Sequence, residues 1–265
     1  MQHSVKAFAS FIFFFVGLSS AAVAEGENTN RALAEKIALL ANEEINASGI
    51  ASLQVAVGYK NKILFEGAFA QADVERRVAA TITTRYRIAS ISKWFTGTVA
   101  MQLVDKGLID LDAPIQTYCP EFPVKKWEIS TRQLLAHTSG IRHYADYGNQ
   151  LKLAKTDVDR ELVNKRRSRA LESYYKRHTD MLSPLEAFKD DPLRFQPGTR
   201  HGYTSFGFRV LGCVIGGAAN KPYRAVMQEV FDKVSMKLTV DDDARTIIPG
   251  RAALYDLGSE KALKR

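Results

Sequence analysis

Residues 51–59 (ASLQVAVGY) and 62–68 (KILFEGA) are two short apolar runs separated only by Lys60-Asn61. A two-residue connection permits antiparallel pairing but no parallel crossover, so this stretch predicts a β-hairpin with a tight turn. A lone hairpin is marginal in water and needs a covering layer. The preceding residues 30–46 offer one: Leu33, Ile37, Leu40 and Ile45 recur at near-helical spacing, which predicts an amphipathic helix over the sheet. Beyond the hairpin, Trp94, Phe95, Val99 and Leu103 mark a buried helix, ended by Gly107. Helix, hairpin, helix is the opening order.

Further along, residues 129–141 (ISTRQLLAHTSGI) read as a capped short helix closed by a glycine. Residues 151–182 are highly charged with patchy apolar spacing and read as an exposed helical insertion. A Pro-Gly turn and an irregular stretch then lead into an apolar helix from about Ser205 to Gly216 or Gly217, and residues 223–234 form one more amphipathic helix.

The first residues, MQHSVKAFASFIFFFVGLSSAAVAEGEN, hold one cation, Lys6, an apolar run, and Ala22-Val23-Ala24 as a small-x-small cleavage pattern. Residues 1–24 read as a secretory signal peptide, too short in apolar length for a span, which predicts export to a periplasmic or extracellular space. A mitochondrial address is the alternative, although no arginine precedes Arg31. Residues 25–265 are long enough for one large domain or two small ones with a real core, and read as one domain. The net charge of +8 is concentrated in residues 152–177, where nine Lys or Arg face four Asp or Glu. A solvated basic helix accounts for that segment; a weak contact with an anionic membrane surface is the alternative, and no nucleic-acid partner is expected. Cys119 and Cys213 exclude a disulfide scaffold and stand open between a pair and two buried thiols.

Ser90 and Lys93 are three residues apart at the start of the apolar helix run. A helix start leaves first-turn N–H groups unsatisfied and favours negative charge, and Lys93 shares a helix face with Ser90. For Lys93 to act as a base near neutral pH, its ammonium must be destabilised by about three units, with Trp94 and Phe95 as the burying neighbours. The opposing reading is a helix cap followed by a surface lysine. Ser-x-x-Lys is expected on the order of once by chance in a chain this long, and it occurs a second time at Ser173-Tyr174-Tyr175-Lys176, amid charges.

Three segments in order, YRIASISKWFTGTVAMQLVDKGLIDLDAPI, ISTRQLLAHTSGIRHY and FQPGTRHGYTSFGFRVLG, resemble the class C beta-lactamase and D-alanyl-D-alanine carboxypeptidase family of serine hydrolases. HTSGIRHY and FKDDPLRFQPG are most similar to the branch that includes the mitochondrial serine beta-lactamase-like protein and its bacterial relatives. The resemblance implies an α+β fold, with an antiparallel sheet flanked by helices and a helical subdomain. It also implies a Ser90 acyl-enzyme formed on a small-molecule or peptide substrate, with Lys93 sharing in proton transfer and no cofactor or metal. The family's second proton-transfer group is a tyrosine in a Tyr-x-Asn motif. Tyr203-Thr204-Ser205 occupies that position, with Ser205 in place of the asparagine that contacts substrate; the literal match, Tyr147-Gly148-Asn149, falls just after HTSG.

The family's third motif, Lys-Thr-Gly or His-x-Gly, does not follow Tyr203, so the chain reads as a C-terminally shortened form with an incomplete sheet. One lost oxyanion donor costs about 10²- to 10³-fold in rate. A catalytically silent binding or membrane-associated protein is therefore the second reading. His137 reads as a residue that fixes its turn by hydrogen bonding, and it shares no metal-ligand spacing with His143, His178 or His201.

Overall fold

The computed structural model describes residues 28–243, 245–257 and 263–264, so the leader-like residues 1–24 lie outside the described residues. Ser52–Tyr59 (β1) and Lys62–Asp73 (β2) form the hairpin, with Ser52 opposite Ala70 and Tyr59 opposite Lys62. Lys60 and Asn61 hold φ at 45° and 61°. Positive φ at both turn residues matches the strands' right-handed twist. Val78–Ala79 (β3) extends the sheet in the order β1-β2-β3.

Helix Asn28–Ser48 (α1) packs on this sheet, but not through all the residues the periodicity suggests. Ala34 and Ala41 are buried, whereas Leu40 is 54% exposed. Alanines two turns apart let the helix backbone approach the strands, and Leu40 falls off that face. Residues 250–257 return to this first unit: Ala252 N–H donates to the Arg85 carbonyl (2.9 Å) and Ala253 N–H to the Ala72 carbonyl (2.8 Å). Tyr255 Oη accepts the Val74 N–H at 2.9 Å. Asp256–Leu257 (β4) and Leu263–Lys264 (β5) pair antiparallel.

Residues 87–249 form a second compact unit. It contains Ser92–Asp105 (α2), Thr131–Leu135 (α3), Asp146–Leu153 (α4), Asp157–Tyr175 (α5), Ser205–Ala219 (α6) and Tyr223–Lys233 (α7). Its core is α6, whose Val210, Leu211, Val214 and Ile215 are wholly buried, each such side chain contributing about 1.5–3 kcal/mol. Val99 and Leu103 of α2, Leu134 of α3 and Phe231 of α7 belong to the same core.

The helix ends follow local chemistry. α2 stops at Gly107, whose φ is 69°; Gly107 N–H bonds the Val104 carbonyl and Leu108 N–H bonds the Leu103 carbonyl, the Schellman arrangement. α6 runs past the glycines expected to end it, to Asn220 at φ 48°. Gly217 is needed for approach instead, since a Cβ there would lie 1.7 Å from the Tyr118 carbonyl oxygen. Cys119 and Cys213 form a disulfide that fastens α6 to a segment 94 residues earlier.

The charged segment of residues 151–182 contains α5, whose start is fixed by a reciprocal cap between Thr156 and Asp159. Most of the helix faces solvent, yet Arg166 and Arg169 each reach Asp191 Oδ1 at 3.3 Å. Arg142 Nε lies 3.0 Å from Asp191 Oδ2, both side chains being almost wholly buried. A buried carboxylate needs such partners to offset its desolvation. No helix among the described residues is long and apolar enough to cross a membrane.

Candidate active site

Ser90 lies in a single 3₁₀ turn, Ala89–Ile91, that runs directly into α2. Ala89 is held at φ 43°, a left-handed conformation that costs a non-glycine residue of order 1–3 kcal/mol. Neither helix start in this stretch has a side-chain cap. The Ser90 hydroxyl is engaged elsewhere: Lys93 Nζ donates to its Oγ at 3.2 Å and the Tyr203 hydroxyl donates at 2.8 Å. The cap reading of Ser90 therefore fails on geometry.

Lys93 is half-buried, but not by the neighbours its sequence position suggests. Trp94 is 80% exposed. The ammonium lies instead over the rings of Tyr203 (4.9 Å) and Phe208 (5.8 Å), both carried by the segment opening α6. Successive helix residues point about 100° apart, so Trp94 turns away from the side on which Lys93 meets α6.

Tyr203 is brought to Ser90 by a lattice of bonds between two segments. Arg194 N–H donates to the Gly140 carbonyl, Gly198 N–H to that of Thr138 and Gly202 N–H to that of His137. The Thr204 hydroxyl donates to the Arg142 carbonyl at 2.7 Å and accepts the Gly207 N–H at 3.0 Å, capping α6. HTSGIRHY and FQPGTRHGYTS therefore meet because each satisfies the other's backbone. α3 is closed not by Gly140, as the sequence suggested, but by His137, at φ 56° just beyond the helix. Gly140 has another duty: a Cβ there would strike the Phe195 carbonyl oxygen at 2.3 Å.

The phenol of Tyr203 is held below its usual pKa, first by its hydrogen bond with Lys93 and then by that with Ser90. Ser205 adds a smaller effect in the same direction. The competing tyrosine, Tyr147, is buried in the core and donates to Asp191 Oδ2 at 3.0 Å. Burial raises its phenol pKa. It does not join the Ser90 group. The second Ser-x-x-Lys also separates from this chemistry, since Ser173 Oγ bonds His178 Nε2 at 3.1 Å and Lys176 pairs with Glu172. Among the described residues Cys119, Glu121 and Cys213 lie close enough to share an ion, but both sulfurs are committed to the disulfide.

The fold is shared with EstCE1, a hydrolase with promiscuous acyltransferase activity (TM-score 0.68, 18% identity, covering 90% of this chain and 61% of that one). It is shared also with a penicillin binding protein from Bacillus halodurans (TM-score 0.63, 21% identity, covering 84% and 62%). Residues 31–264 match the Beta-lactamase family, and the chain belongs to it. It is 30% identical over 267 residues to the serine beta-lactamase-like protein LACTB, mitochondrial, of Homo sapiens, covering 83% of this chain and 48% of that protein. The chain thus spans about half the length of the curated relatives it matches.

Proposed function

We propose that this chain carries the nucleophile and proton-transfer half of a serine hydrolase acting on amide or ester bonds. The observation that supports this reading is the Ser90 hydroxyl shared between the Lys93 ammonium and the Tyr203 phenol, with no structural bond of its own to make. A serine nucleophile needs an adjacent group able to take its proton, and these two are in hydrogen-bond reach.

The chemistry runs through Tyr203 as base, with Lys93 keeping the phenolate accessible. Ser90 Oγ attacks the carbonyl carbon while its proton passes to the Tyr203 oxygen. The oxyanion develops at the start of α2, where the helix dipole favours negative charge. As the tetrahedral intermediate collapses, Tyr203 returns the proton to the leaving nitrogen or oxygen, giving an acyl-serine. Water then attacks the ester, Tyr203 again accepts a proton, and Ser90 Oγ leaves with it. Ser205 acts beside Tyr203, contributing to the phenol's acidity and lining the place where substrate sits.

Peptides, D-alanyl peptides, beta-lactams and short esters all present the required carbonyl. The Cys119–Cys213 disulfide and the leader-like residues 1–24 together support work in an oxidising, exported location. The deciding experiment is labelling with a fluorophosphonate or a penicillin, followed by mass mapping. The adduct is expected on the peptide containing Ser90. Labelling that persists in a Ser90→Ala variant would overturn the reading. A chain that is folded yet unlabelled by either probe favours the second reading, a binding protein without turnover.

A further inference from the structure

Two histidines outside the proton-transfer group converge on the same tyrosine. The Thr204 N–H donates to His137 Nδ1 and the next N–H, that of Ser205, donates to His143 Nδ1, each at 3.2 Å. These N–H groups stand at the start of α6, where the helix provides no partner. The two imidazoles also enclose the Tyr203 ring, at centroid separations of 4.5 Å for His137 and 5.5 Å for His143. The His137 ring also lies tilted against Phe208 at 5.0 Å, the ring beneath Lys93.

We propose that His137 and His143 are positioning residues: their neutral rings, each accepting one of two consecutive backbone N–H groups at Nδ1, hold the Tyr203 hydroxyl on Ser90 and switch the site off when they protonate. This deepens the Ser90–Tyr203 reading and rests on it. An Nδ1 that accepts must carry no proton, so both rings are in the Nε2–H form. Protonating either places a donor against a donor and releases the start of α6.

The surroundings oppose that protonation. His137 faces His201, Lys93 and His143; burial first, and then these neighbours, hold its pKa below the ordinary histidine value. His143 faces Lys93 and Arg194, with Asp146 opposing them; burial is the largest influence and the net shift is again downward. Arg194 is itself paired with Asp146 at 2.8 Å, which blunts both. The sign follows: the rings are neutral above their lowered titration, and the assembly is lost as pH falls through it.

The test is the pH dependence of fluorophosphonate labelling at Ser90. Tyr203 alone makes the rate fall about tenfold per pH unit on the acid side, one proton being involved. Below the histidine titration the wild-type rate is expected to fall faster than that. Asparagine carries an acceptor oxygen near the Nδ1 position, tolerates the left-handed backbone at 137, and does not titrate in this range. His137→Asn/His143→Asn is therefore expected to return the acid limb to about tenfold per unit. His143→Ala should slow neutral-pH labelling about tenfold, and His143→Asn should recover most of that loss. An identical acid limb in the wild type and the double asparagine variant overturns the inference. So do long-range ¹H–¹⁵N spectra showing either Nδ1 protonated at neutral pH, a readout independent of labelling. Absence of any Ser90 adduct in the wild type at every pH sinks the Ser90 reading itself, and the inference with it.

Discussion

Ser90 and Ser173 occupy the same four-residue pattern, each with a lysine three positions on. Ser90 sits where a strained turn becomes a helix, its hydroxyl unclaimed by the backbone and met by Lys93 and by a tyrosine 113 residues away. Ser173 is buried near the end of α5 and bonds to His178, five residues on, while Lys176 turns to Glu172. Spacing puts two side chains on one helix face. Whether they meet depends on what else claims each of them. In the first copy a distant segment supplies a third group; in the second, local partners absorb both.

The largest expected effect breaks the comparison outright. Ser90→Ala should reduce turnover of an activated ester by about 10⁴-fold or more, as removing a nucleophile does, while Ser173→Ala leaves the rate within twofold. Equal losses in both would show that the pattern, not its setting, governs. Tyr203→Phe and Lys93→Ala come next, each expected to cost about 10²- to 10⁴-fold, against no loss for Lys176→Ala. The phenol's depressed pKa gives this prediction a pH signature. Wild-type rate should rise with pH as Tyr203 ionises and level off before the ordinary tyrosine value of about 10. In Lys93→Ala that rise should move to higher pH, because the hydrogen bond that most favours the phenolate is gone. A rise at unchanged pH would remove Lys93 from the arrangement.

Much of this was legible in the sequence, and the parts that were not have a common cause. The hairpin and its turn and the glycine stop at Gly107 rested on local pattern, and each has its place in the structure. The choice of Tyr203 over Tyr147 rested on segment resemblance, and Tyr203 is the one that lies within hydrogen-bond distance of Ser90. What pattern could not give was which surface of a residue meets which distant one. Leu40 matched the helical period but lost its place to Ala34 and Ala41, because close approach rewards small side chains. Trp94 read as a buried neighbour of Lys93, and Phe208 from α6 has that role. His137 read as a residue fixing its own turn; its ring bond crosses to Thr204, 67 residues away. His143 and the Asp191 ion cluster carried no signal in spacing at all, since their partners are assembled only by the fold.

That dependence on distant segments also makes the first serine's site more fragile than the second's, a difference the disulfide sharpens. Tyr203 lies two residues before α6, and α6 is fastened by Cys213 to Cys119. Closing a loop of 94 residues restricts the unfolded chain by on the order of 4–5 kcal/mol in the chain-entropy description. Cys119→Ser/Cys213→Ser should therefore shift the denaturant midpoint sharply downward, and Ser90 labelling should disappear along the same transition. The Ser173–His178 contact spans five residues and should be indifferent to the bond except through global unfolding. Unchanged midpoints in the presence and absence of a thiol reductant would contradict the clamp.

The smallest effect is the most specific to this chain. Ser205 stands where the resemblance places an asparagine, and it adds a small lowering effect to the pKa of the Tyr203 phenol. A hydroxyl donor to the phenol oxygen favours the phenolate, so removing it raises the phenol's pKa. Ser205→Ala should then lower the rate about two- to fivefold where Tyr203 is only partly ionised, a modest change for one hydrogen bond among three. The deficit should close as pH rises past the shifted titration, because a fully ionised phenol no longer needs the help. If Ser205 instead acts only on substrate, the deficit will be the same at every pH and will appear in KM. The phenol would then owe its acidity to Lys93 and Ser90, and the contrast with Ser173 would reduce to the reach of one tyrosine.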